Sequence, residues 1–213
     1  MIGERTGTDR TAGPGCGEPR QRAASLPPDE RRAAIIAATL PLLVTHGTAL
    51  STRQIAGAAA IAEGTIFRVF PDKDSLIAAA IEQAFDPAPV VAELRAIDVT
   101  LPLEARLEAA VEILQRRFGY IGQLMIAVGM TKVPGTRWGE GDRRTPPTLH
   151  ALAEVFEPDR ARLRRDPLQA AQLLRGLSFA GSHPSLIIDK PLTPAEIVSV
   201  LLDGIRDDAG RAQ

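Results

Sequence analysis

A single cysteine, Cys16, is all the thiol chemistry the sequence has. No intramolecular disulfide can form, and the chain suits a reducing compartment. Aromatic residues make up only 4% of the 213 positions, and alternating β-branched or aromatic stretches are scarce, so helix is the default reading and strands are not expected. No run of 18 apolar residues occurs and the N-terminus has no apolar signal core. Neither a membrane span nor export by the usual route is expected, and the predicted location is the cytoplasm. Net charge is also lacking, at −1, so a polyanionic partner would have to be met by positive groups gathered on one face. Three scattered histidines, with no Gly-rich phosphate loop, metal-ligand cluster or nucleophile-base spacing, give no catalytic residue, metal or cofactor to expect. An enzyme is therefore not the expected class.

What is present is an apolar fraction of 45% and a charged fraction of 24%, enough to bury one large helical core or two smaller ones. Residues 1–27 are rich in Gly, Pro, Thr and Arg and have little to bury, which reads as a disordered arm carrying Arg5, Arg10, Arg20 and Arg22. Pro27, Pro28 and Asp29 open a first helix in which Ile36, Leu40, Leu43 and Val44 recur at helical spacing, with Pro41 inside it and His46-Gly47 at its end. The Asp86 to Pro89 break divides the chain into 28–86 and 87–213. Beyond it, helices are predicted near Val90–Ile97, Leu103–Met130, Pro147–Phe156, Pro167–Ser182 and Pro194–Asp208, the second of them broken by Gly119, Gly122 or Gly129. The polar Gly/Pro-rich segment 133–147 reads as a loop.

The stretch with the most specific order is Ser51 to Asp74, STRQIAGAAAIAEGTIFRVFPDKD. Ser51 and Thr52 are N-cap candidates for a short helix with Ile55, Ala56 and Ala59 on one face. A tight connection through Ala60 and Ile61 leads to a second short helix, Ala62 to Phe70, stopped by Pro71. Two short helices joined this way suit a helix-turn-helix, although the same spacing serves any αα-hairpin. The full string, with A-E-G-T-I-F-R-V-F-P-D-K after S-T-R-Q-I-A, resembles the N-terminal domain of the TetR (tetracycline repressor) family of bacterial regulators. The resemblance covers 29 to about 85. It implies an all-α chain, with an N-terminal three-helix helix-turn-helix domain followed by a larger helical ligand-binding and dimerisation domain.

The resemblance places Thr52, Arg53, Ala62, Glu63, Gly64, Thr65, Phe67, Arg68 and Lys73 at the DNA. Chemically, Arg68 can donate two bonds to a guanine, Thr65 can reach a phosphate or a thymine methyl, and Glu63 can accept from a cytosine amine. Lys73 and Thr52 are the expected phosphate contacts, with Ala62, Glu63, Thr65, Ile66 and Arg68 exposed and Phe67, Phe70 and Ile55 packed. A first-turn acid such as Glu63 is also what a helix dipole favours with no DNA involved. Four departures from the family pattern stand out: Ala60 where the turn usually has Gly, Ala62 where a Ser or Thr cap is usual, Phe67 for a frequent Tyr, and Pro41 within the first helix. Residues 29–86 hold five positive groups, Arg31, Arg32, Arg53, Arg68 and Lys73, against seven acids, so affinity cannot rest on bulk charge.

In the family a small-molecule effector sits among the central helices of the second domain. Here those helices carry Phe118, Tyr120, Leu124, Met125, Met130, Trp138, His150, Leu152 and Phe156, of which plain core packing is the alternative use. Leu168, Ala171, Leu174, Leu177, Ser178 and Gly181, with the apolar Pro194–Asp208 helix, are the expected homodimer face, the alternative being that both helices close the core of their own domain. The implied function is a ligand-responsive transcriptional repressor, a homodimer on a palindromic double-stranded operator. The rivals are a helical protein-interaction adaptor without DNA binding and a small helical enzyme.

Overall fold

A computed structural model describes residues 27–131, 145–183, 186 and 190–205. The expected N-terminal arm, Trp138 and most of the 133–147 segment lie outside the described residues. Among those described there are nine α-helices and no strand: α1 Pro28–His46, α2 Thr52–Ala58, α3 Glu63–Val69, α4 Lys73–Phe85, α5 Ala88–Arg95, α6 Leu103–Ala127, α7 Pro147–Phe156, α8 Pro167–Ser182 and α9 Pro194–Ile205.

The first core forms where α1 turns Ile35, Ile36, Thr39 and Leu43 inward against α2, α3 and α4. The buried Thr39 hydroxyl is satisfied by the Ile35 carbonyl at 2.7 Å. Pro41 lies on the exposed side of α1, so the carbonyl it deprives of a donor faces solvent, and the helix continues to His46. By length and composition the span Pro28–Ala49 would suffice to cross a membrane, but its apolar side is engaged by α2, α4 and α6 as a core helix.

A second core gathers Leu94 of α5, Leu107, Val111 and Leu114 of α6, Leu152 and Phe156 of α7, Leu174 of α8 and Leu201 of α9. The long α6 serves both cores. Its first half packs in the second, while Leu124, fully buried, and Tyr120 pack in the first. The first core is thus completed by residues beyond the expected boundary at 86. The predicted break in α6 is absent: Gly119 and Gly122 each weaken the helix by about 1 kcal/mol, but buried Leu114 and Leu124 anchor it on either side. Gly129, with φ +68°, follows its end instead.

The expected dimer face is a further correction. Ala171, Leu174, Ser178 and Gly181 are buried within the protomer, and Leu168 and Leu177 pack on the same core. The small side chains there let α8 approach its own neighbours: a Cβ added at Gly181 would lie 3.1 Å from Ile197 Cδ1. Outward, α8 presents Leu173, Gly176 and Phe179, and α9 presents Val200.

Sequence reasoning did not single out Arg106, which is buried on α6. Its guanidinium donates to the carbonyls of Val155, Val99 and Leu101 at 3.2, 3.1 and 2.8 Å and to Asp159 Oδ2 at 2.5 Å, tying the α5–α6 connection to the end of α7. Burial raises the Asp159 pKa, but hydrogen bonds from Arg106 and Arg162 outweigh it and hold the carboxyl below its ordinary 3.8. A carboxyl depressed in the folded state contributes stability above its unfolded pKa that is lost as the pH falls through the folded value. Asp159→Asn should therefore lower stability at neutral pH yet shrink the loss between about pH 5 and pH 3, as urea unfolding at both pH values would show. Arg106→Met should cost about 1–3 kcal/mol, since it leaves three carbonyls without their donor and Asp159 with Arg162 as its remaining partner.

Candidate nucleic-acid interface

Ser51 caps α2 through a reciprocal box: its Oγ accepts from Gln54 N at 3.3 Å while Gln54 Oε1 accepts from Ser51 N at 2.8 Å. The connection after α2 keeps the glycine-type turn although its residue is alanine. Ile61 N donates to Ala56 O at 3.0 Å and Ala60 N to Gly57 O at 3.2 Å, the paired bonds of a Schellman ending. Ala60 therefore sits at φ +53°, a left-handed conformation that costs a residue with a Cβ about 1–2 kcal/mol.

The turn delivers α3 with Ala62 at its N-cap and no side-chain cap bond, as the sequence implied. Ile66 and Phe70, one turn apart and fully buried, fix the rotation of α3 about its axis. That rotation corrects two expectations. Ile66, expected to be exposed, is an inward anchor, and Phe67, expected to pack, stands half exposed at the centre of the outer face. With inward anchors at i and i+4, position i+1 must turn out by about 100°. The outer face comprises Ala62, Glu63, Gly64, Phe67 and Arg68, with Thr65 half buried at its margin. Arg53 of α2 is exposed nearby in sequence.

Lys73 does not extend outward as a phosphate contact. Its Nζ donates to the Thr48 and Leu50 carbonyls at 3.1 and 3.3 Å, clamping the turn before α2 to the start of α4. The Thr52 hydroxyl is also engaged, donating to Glu63 Oε1 at 2.5 Å. The Arg32 guanidinium lies 4.4 Å from the centre of the Phe70 ring and braces the same anchor. Asp72 caps α4 by accepting from Ser75 N at 2.7 Å, which with the Ser75 side-chain bond holds its carboxyl below the ordinary range.

The described effector candidates do not converge. Phe156 is deep in the second core, Leu124 and Tyr120 belong to the first, His150 is exposed, and Phe118 packs edge to face on Phe179 with ring centres 5.4 Å apart. Met125 is half buried, and Trp138 is not described. A groove of about 1000 Å³ instead runs between α1 and α4, lined by Arg32, Ile36, Ile81, Glu82, Phe85 and Met130 among others. A second, of about 480 Å³, opens between the ends of α1 and α6.

Residues 35–80 match the family described as bacterial regulatory proteins, tetR family. This segment is a TetR-family helix-turn-helix domain. Structures of the same fold include a transcriptional regulator assigned to the TetR family from Mesorhizobium loti MAFF303099, at 16% identity over 86% of this chain and 100% of that one, with a TM-score of 0.52. A TetR transcriptional regulator from Streptomyces coelicolor is 20% identical over 84% and 99% of the two chains, with a TM-score of 0.50. No curated protein matches the sequence. Together the matched segment and these structures show a helix-turn-helix segment of the tetR type followed by a helical second domain, the fold shared with those regulators.

The left-handed Ala60 gives a direct test of how far this domain tolerates departure from the TetR pattern. Ala60→Gly removes a strain of about 1–2 kcal/mol and adds about 0.5–1 kcal/mol of unfolded-state entropy. It should raise stability by about 0.5–1 kcal/mol in thermal or urea unfolding.

Proposed function

We propose that the chain is a ligand-responsive transcriptional repressor, acting as a homodimer whose two α3 helices enter successive major grooves of a palindromic operator. The observation that carries this reading is the outward face of α3, which presents Glu63, Gly64, Phe67 and Arg68 on a frame fixed by Ile66 and Phe70. Arg68 is the guanine reader, Glu63 and Thr65 the other polar contacts to the duplex, and Arg53 a phosphate contact. Lys73 supports the head through its carbonyl bonds to the turn before α2. Pairing is supported by the outward apolar side of α8 and α9, where Leu173, Phe179 and Val200 are each about half exposed or more, an arrangement suited to an isologous contact.

An effector acts by binding one spacing of the two heads better than the other, with a coupling of about 1–3 kcal/mol. Control by a small molecule is in keeping with one structure of the same fold, at 20% identity and a TM-score of 0.54, described as the basis for control of antibiotic production by bacterial hormones. The effector candidates Phe118, Met125, Trp138 and His150 remain the second domain's contribution to this reading, alongside the groove at Met130.

A gel shift on DNA flanking the gene tests the assignment and separates it from a protein-only adaptor. Arg68→Ala should weaken binding by about 10- to 100-fold with little change in unfolding temperature. Leu173→Glu should convert a sedimenting dimer to a monomer and remove operator binding with it. Retention of full affinity by Arg68→Ala would reject α3 as the reading helix.

A further inference from the structure

Glu63 is an unexpected residue on a surface that meets a polyanion. It occupies the first position of α3, exposed among Ala62, Gly64, Phe67 and Arg68. Among the described residues its carboxylate has no ion-pair partner, and the bond it makes is the one accepted by Oε1 from the Thr52 hydroxyl at 2.5 Å. Thr52 opens α2 and Glu63 opens α3, so the bond joins the leading ends of the two helices and stops the carboxylate from swinging aside. Two consequences follow. The Thr52 proton is not free for a phosphate oxygen, and a fixed negative charge confronts the backbone of every duplex that approaches. At the same time Oε2 is left free to accept, and of the two amine donors in a major groove, adenine N6 and cytosine N4, the cytosine amine is the one that suits a carboxylate, because adenine N6 lies beside the N7 acceptor, which repels it.

We infer that Glu63, held by Thr52, is a specificity-determining residue that disfavours all duplex DNA and regains the loss only where a cytosine amine faces it. The pair is a filter against non-cognate sequence more than a source of affinity. Local charge makes such a filter effective: with five positive groups against seven acids over 29–86, the sequence-blind attraction to be opposed is small. The inference rests on the DNA-reading role proposed above and adds to it how the head rejects other sequences.

The test uses the full chain and two DNAs. Wild-type protein first selects a duplex from a randomised pool. Fluorescence anisotropy then compares that duplex with poly(dA-dT), which has no cytosine, for wild type, Glu63→Gln and Thr52→Val, with thermal unfolding of each. Glutamine keeps an acceptor for Thr52 and removes the charge; because glutamine can also pair with adenine N6 and N7, Glu63→Ala, which cannot, must show the same gain on poly(dA-dT) for the lost charge to be its cause. Glu63→Gln should bind poly(dA-dT) about 3- to 10-fold more tightly and lower the preference for the selected duplex by about tenfold. Replacing the selected duplex's G·C pairs with A·T one at a time should reveal a position that matters to wild type and not to Glu63→Gln. Thr52→Val, which frees the carboxylate to swing aside, should blunt discrimination at that position and give a smaller gain on poly(dA-dT) than Glu63→Gln. Unchanged binding of poly(dA-dT) by Glu63→Gln overturns the filter, as does a parallel loss on both DNAs with a lowered unfolding temperature, which would mark a purely structural bond. A wild-type chain that retains no sequence from the pool overturns the DNA-reading role itself, and the filter with it.

Discussion

Leu124 is where the two halves of the molecule are locked together. Its side chain is closed off from solvent in the core of the reading head, yet it belongs to a helix that begins in the other core. Beside it the backbones nearly touch. Gly47 adopts φ +58° and ψ −149°, a region open essentially to glycine alone, and a Cβ added there would lie 2.3 Å from the Ala127 carbonyl oxygen. Packing this close does not slide. Any change in the pitch of α6, a rod about 37 Å long at ~1.5 Å per residue, is therefore passed to the turn Gly47–Ala49. From there the Lys73 clamp carries it to α4, and the short link through Leu50 and Ser51 carries it to α2 and α3. The route from the second domain to the reading helix is built mostly of backbone contacts, which have few ways to absorb a displacement.

Helix ends were legible because they are written in local chemistry. Pro28, Ser51, Asp72, Pro147, Pro167 and Pro194 each open or cap a helix where the residue type implies it. The helix-turn-helix order was legible for the same reason, and the family match, 35–80, spans it from α1 into α4. Facing was harder. Ile66 and Phe67 are adjacent and both apolar, and only the burial of Phe70 decides which of them turns inward. The α8 helix has apolar residues on two sides, so periodicity alone could not say that the alanine side packs at home and the Leu173–Phe179 side looks out. Arg106 was illegible in a deeper sense. A lone arginine on an amphipathic helix looks like a solvated one until the fold brings Asp159 and three carbonyls around it.

The reading head is a strained object held by its neighbours. Ala60 in a left-handed turn and Ala62 at an uncapped N-terminus both weaken the two short helices locally, and seven-residue helices have little stability of their own. Their order comes from tertiary contacts: Ile55, Ile66 and Phe70 buried against α1 and α4, the capping boxes at Ser51 and Asp72, and Arg32 stacked on Phe70. Part of that support is supplied from outside the matched segment, by Leu124 and Tyr120 of α6. Stability of the head and attachment of the head to the second domain are consequently one property.

That dependence bears on how so weakly charged a surface can select a site. With acids outnumbering bases over 29–86, one head alone gains little from phosphates and must rely on a handful of oriented contacts. In the proposed dimer the second head binds at an effective concentration of about millimolar order, provided the spacing matches. Affinity then depends on geometry more than on charge. A more basic head would hold DNA through single, sequence-blind contacts that persist at the wrong spacing, and the grip of the pair would become insensitive to the pitch of α6. In the proposed dimer, sparse charge and a rigid α6 joint are therefore two parts of one design: the first would make both heads necessary, and the second would give the rest of the molecule control over whether both can reach.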